Sequence, residues 1–156
     1  IQGEPALAQR QYDTVEFIGN LAEINRQIYN RQLANFYSDH DLDPDQALRL
    51  ALTELEVRKD VFGYDAAAWA YFKNGQLDQA QEMIALAMRL GTRDAKLYYH
   101  AGMIAQARGD LTAAERLLSE ALAINPAFDP LQARIARSVL ADVSADSTTT
   151  ILRRPR

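Results

Sequence analysis

Small and apolar residues recur at helical spacing through the middle of the chain. Ala67, Ala68 and Tyr71 share one face of a helix, Asn74-Gly75 interrupts it, and Leu77, Ala80, Ile84 and Ala87 resume the stripe on a second helix. Positions three and four apart lie one above another on a helix, so each stripe is a face to be buried against a neighbour. Glycine takes the left-handed backbone that closes a helix C-terminus. Gly75 is therefore a turn and Gly91 a stop, with Thr92 or Asp94 placed to cap the next helix. The predicted unit is a pair of helices joined by a tight turn.

The unit recurs. A shift of 34 residues carries Ala67, Ala68 and Tyr71 onto Ala101, Gly102 and Ala105, and Gly75 onto Gly109. The same shift carries Leu77, Ala80, Ile84, Ala87 and Leu90 onto Leu111, Ala114, Leu118, Ala121 and Ile124. Upstream it brings Leu33, Ala34 and Tyr37 onto Ala67, Ala68 and Tyr71. Ala68 and Gly102 allow a partner helix to approach closely, as Ala80, Ala87, Ala114 and Ala121 do from the other side.

This pattern resembles the tetratricopeptide repeat: a small pair, an aromatic, glycine at the turn, alanine before a large residue and a second alanine, and a closing proline. The third copy holds nearly all of it in Ala101-Gly102, Gly109-Asp110, Ala114, Leu118, Ala121 and Asn125-Pro126, but Ala105 replaces the aromatic. The second copy keeps Tyr71 and has Thr92 in place of proline. The first lacks the turn glycine and carries one extra residue in Ser38 to Pro44. The resemblance implies an all-α, right-handed α-solenoid of helix-turn-helix repeats.

At the N-terminal end Gly3, Ala8, Tyr12 and Val15 follow the spacing of Gly75, Ala80, Ile84 and Ala87. They are expected to be the second half of a truncated repeat, with a helical insertion or kink near Gly19 to Arg26. The chain is accordingly expected to be the C-terminal part of a longer array, able to self-associate through an exposed N-terminal face. At the other end Asp129-Pro130 starts a helix whose stripe is Leu131, Ile135, Val139 and Leu140, with Arg134, Arg137 and Asp142 as polar cover. The expected division is 1–26 for the truncated repeat and insertion, then repeats at 27–60, 61–94 and 95–128. A capping helix follows at 129–143, and 144–156 is a disordered tail ending in Arg153-Arg154-Pro155-Arg156.

Composition narrows the chemistry. The chain has 156 residues, 48% hydrophobic and 24% charged, the mix of a folded globular protein. The absence of cysteine removes disulfides, thiolate metal sites and cysteine nucleophiles. A net charge of −4 argues against nucleic acid as a partner. No apolar run approaches the roughly 18 residues of a membrane span. Asp39-His40-Asp41-Leu42-Asp43-Pro44-Asp45 is not a calcium loop, because neither frame has glycine at its sixth place and glutamate at its twelfth. Its aspartates instead suit the N-terminus of the helix from Pro44. No nucleophile elbow, Walker loop, dinucleotide fingerprint or His-Glu metal motif occurs, so neither an enzyme nor a cofactor is implied.

By resemblance, the first helices of successive repeats line a concave groove. The first copy contributes Ile28, Arg31, Asn35 and Ser38, and the second Phe62, Asp65, Trp69, Phe72 and Lys73. The third contributes Lys96, Tyr99, Met103 and Gln106, and the closing helix Arg137. Trp69, the sole tryptophan, is expected on the groove wall, and one of Tyr98 and Tyr99 packs while the other faces the groove. Some family members clamp a terminal carboxylate from these helices. Arg31, Asn35, Lys96 and His100 fall on four of the five clamp places, with Ala66 on the fifth. They read either as an altered clamp or as ordinary solvated polar residues. The expected function is a non-catalytic protein-interaction module binding a peptide or protein segment; the alternative is a structural subunit of a larger assembly.

Overall fold

The computed structural model describes residues 5–24 and 30–152, which form helices without a strand among them. In chain order these are α1 (Pro5–Ile24), α2 (Asn30–Asp39), α3 (Pro44–Val57), α4 (Val61–Lys73), α5 (Leu77–Met88), α6 (Ala95–Ala107), α7 (Leu111–Ile124) and α8 (Gln132–Leu152). Gly3, the Asn25-Arg26 end of the expected insertion, Ile28 and the Arg153–Arg156 tail lie outside the described residues.

Local chemistry sets the boundaries. Asp43, Asp60, Asp94 and Asp110 each accept a hydrogen bond from the backbone N–H three residues on, at Gln46, Gly63, Leu97 and Ala113. Such a cap satisfies a donor the helix itself cannot and contributes about 1 kcal/mol. Gly75 and Gly109 close α4 and α6 with φ of 72° and 83°, a region where any Cβ is strained.

Helices pair as α2–α3, α4–α5 and α6–α7, and α8 closes on α7. The first helices α2, α4, α6 and then α8 also pack on one another in order, forming an inner layer, with α3, α5 and α7 outside. Alanine and glycine make the close approaches. Ala34, Ala47, Ala51, Ala67 and Ala70 are buried between the first two pairs. Ala68, Ala80, Ile84, Ala87, Leu97, Ala101, Ile104 and Ala114 form the next core. This is an α-solenoid of helical repeats.

The ends differ from expectation. α8 begins at Gln132, with Asp129 Oδ1 accepting from the N–H groups of both Leu131 and Gln132, and it runs through 144–152. That stretch was read as tail, but it contains neither glycine nor proline to stop a helix. Its buried stripe runs through Ala133, Ala136 and Val143, with Val139 and Leu140 partly covered, whereas Ile135 is exposed. Small residues win this face because α8 lies close on α7. The N-terminal segment is one helix, resting on α2 through Tyr12, whose ring meets Phe36 edge-on.

Candidate functional site

Asp39 is the last residue of α2, and its carboxylate is the meeting point of the inner layer. Trp69 Nε1 of α4 donates to Oδ1 at 2.9 Å, and Gln132 Nε2 of α8 donates to the same oxygen at 2.5 Å. Lys96 Nζ of α6 pairs with Oδ2 at 2.6 Å. Three helices thus send one donor each to one carboxylate. Side chains of α4, α6 and α8 converge on the C-terminal end of α2.

Trp69 stacks near-parallel on His100, with ring centroids 4.2 Å apart, and on Phe72 at 4.8 Å. His100 has no exposure, and its Nδ1 lies 2.8 Å from Asp65 Oδ1. An ionised carboxylate only accepts, so Nδ1 carries the proton and donates. Tyr99 packs beside Trp69 and Phe128. Burial, reinforced by the charges of Asp39, Asp129 and Asp41, pushes its phenol well above the ordinary value of 10.

The positions expected in the groove therefore divide. Trp69, at 2% exposure, Tyr99, His100 and Asp65 are buried, not free anchors, because they pack on one another and on Phe72 and Phe128. His100 cannot reach a ligand as a clamp residue, and Asn35 Oδ1 has no hydrogen-bond partner among the described residues. Arg31 is paired with Asp60, Lys73 with Asp41, and Lys96 with Asp39, while Arg137 donates to the Pro126 carbonyl. Lys73 Nζ also lies 5.0 Å over the Trp69 ring. Met103 and Phe72 are half-buried against the Trp69–Tyr99 cluster, and Phe62 is 47% exposed.

Two residues of this centre were not singled out by sequence. In the sequence Asp39 reads only as a turn residue, and nothing marks Gln132. Asp39 falls on the same helix face as Asn35 and Ser38, which was the one available signal. Gln132 offers none, since its partner is 93 positions away in the chain. Outside the inner layer, a cleft of about 420 Å³ lies between α5 and α7, floored by Ile84, Ala101, Ala105 and Leu117, with Arg108 and Arg116 beside it. Among the described residues no group of histidines and carboxylates is placed to hold a metal ion.

Residues 95–128, which hold α6 and α7, match the family model described as Tetratricopeptide repeat. No curated protein matches the chain. Residues 95–128 are thus similar to a tetratricopeptide repeat, and they sit in a continuous array of like helical hairpins.

Proposed function

We propose that this chain is a non-catalytic protein-interaction module that takes an acidic peptide or protein segment along its concave face. One observation carries the reading: cations on three consecutive inner helices, Arg31, Lys73 and Lys96, each hold a carboxylate of the chain itself. The surface thus selects carboxylates. Asp60 and Asp41 are exposed at the rim, and exposed pairs contribute only about 0–1 kcal/mol, so a partner's carboxylates replace them at little cost. Phe62, Phe72 and Met103 supply apolar contact beside the cations. Tetratricopeptide repeats serve generally as interaction modules, and the Asp65–His100 pair is buried on both sides, away from any substrate.

The test is isothermal titration with synthetic peptides rich in aspartate and glutamate, against the same peptides carrying asparagine and glutamine. Binding of the acidic set alone, weakened about tenfold by combined Phe62→Ala and Lys73→Ala, is expected. Equal binding of both sets, or none, overturns the reading.

A second reading, a structural subunit within a larger assembly, is favoured by α1. There Leu7, Phe17 and Ile18 are 52%, 63% and 57% exposed, and an apolar face of that kind is suited to a protein contact. Light scattering separates the two: a concentration-dependent rise in mass that Phe17→Ser with Ile18→Ser abolishes supports self-association through this face.

A further inference from the structure

We infer that Trp69, Lys96 and Gln132 form a carboxylate-binding site occupied by Asp39 of the same chain, and that a partner's carboxylate takes Asp39's place. The second half rests on the reading of the concave face as a peptide groove.

The donor set is complete for one carboxylate. It supplies one cation and two neutral N–H donors, uses both oxygens, and comes from three different helices. Trp69 and Gln132 are each 2% exposed, so water does not readily replace an acceptor there, and an unpaired buried donor is costly. The site is still reachable, since the Asp39 and Lys96 side chains keep 16% and 30% of their exposure.

Asp39 is a poor occupant in two respects. It is the last residue of α2, where the helix dipole is negative and disfavours a carboxylate. It also leaves Gln132 Oε1 buried with no hydrogen-bond partner among the described residues. Asp39 brings no donor to that oxygen, whereas a peptide carries an N–H close to its carboxylate. A partner therefore gains a hydrogen bond that the resident aspartate does not make, and the displaced Asp39 turns out to solvent. Asp39 is a built-in competitor that sets the threshold for binding.

Trp69 is the sole tryptophan and donates directly to this carboxylate, so its fluorescence reports occupancy. The first arm titrates sodium formate and acetate into Asp39→Ala, with sodium chloride as the ionic control. A saturable change in emission and a raised Tm are expected in the variant and not in the wild type. A response no different from chloride overturns the site itself.

The second arm titrates three peptides: acidic side chains with an amidated C-terminus, a free C-terminus without acidic side chains, and neither. The first two distinguish the source of the carboxylate. Removal of the competitor is expected to tighten binding of a carboxylate peptide at least tenfold in Asp39→Ala. Equal affinity in variant and wild type overturns the competition. If formate binds and no peptide does, the carboxylate site stands and the groove reading falls. Asp39→Asn, which keeps the shape and loses the charge, serves in both arms if the alanine variant does not fold.

Discussion

His100 Nδ1 and Asp65 Oδ1 are 2.8 Å apart across the α4–α6 contact, with the imidazole fully enclosed and its Nε2 unpartnered among the described residues. The ring lies flat against Trp69, so one histidine joins two neighbouring repeats by both a hydrogen bond and a stacked face. Removing either member leaves the other buried without its partner, which is costlier than removing both. His100→Ala and Asp65→Ala are each expected to lower stability by about 3 kcal/mol in urea unfolding. The double variant should lose less than the sum, and strict additivity would refute the coupling.

Gly102 faces Leu118 closely. A Cβ built there meets Leu118 Cγ at 2.7 Å and its backbone N at 3.2 Å, and Leu118 is fully buried. Gly102→Ala should destabilise by about 1–3 kcal/mol through overpacking, read from the thermal midpoint. In a Leu118→Ala background the same substitution should cost less, because the two nearest clashing atoms, Cγ and Cδ2, are gone and only the backbone N at 3.2 Å remains.

The small-residue pattern that marks such contacts was legible in sequence. Ala68, Ala80, Ala87, Ala101, Ala114 and Ala121 repeat along the chain, and all are buried. Chemistry at the centre was less legible. Trp69 was expected on a groove wall, yet a helical register does not reveal how closely neighbouring inner helices pack over a side chain, and Trp69 is 2% exposed. Contacts with Phe72, His100 and Asp39 separate a groove wall from an enclosed ring. Tyr99 and His100 are enclosed in the same way, a degree of burial that helical spacing alone does not give. Arg31, Lys73 and Lys96 were recognised as cations of the face, but their aspartate partners lie 29, 32 and 57 positions away. No local spacing signals a pair of that separation.

Tyr99 predicts an alkaline limb in stability. Its folded pKa is raised, chiefly by burial and then by nearby aspartates, so the neutral phenol is what the fold retains. The contribution is full below the unfolded value near 10 and is lost as pH rises above it toward the folded value. Absorbance titration of phenolate should show one tyrosine ionising only with unfolding. Tyr99→Phe should remove that late step and flatten the decline.

Asp41→Asn tests how little a rim pair contributes. Asp41 is 74% exposed in its pair with Lys73, so stability should change by less than about 1 kcal/mol. A larger loss would mean that Lys73, lying over Trp69, depends on Asp41 for its position.

The hydrogen bond from Gln132 to Asp39 has a consequence for folding. In a linear array each repeat touches only its neighbours, so unfolding can begin at one end and leave the other intact. Here Gln132 of α8 donates to Asp39 of α2, so the first and last inner helices among the described residues are bonded directly. Fraying of α8 therefore removes a bond from α2, and melting of α2 removes one from α8. The two ends are thermodynamically linked, and the array should unfold in a single transition, with the terminal helices gaining hydrogen-exchange protection from each other.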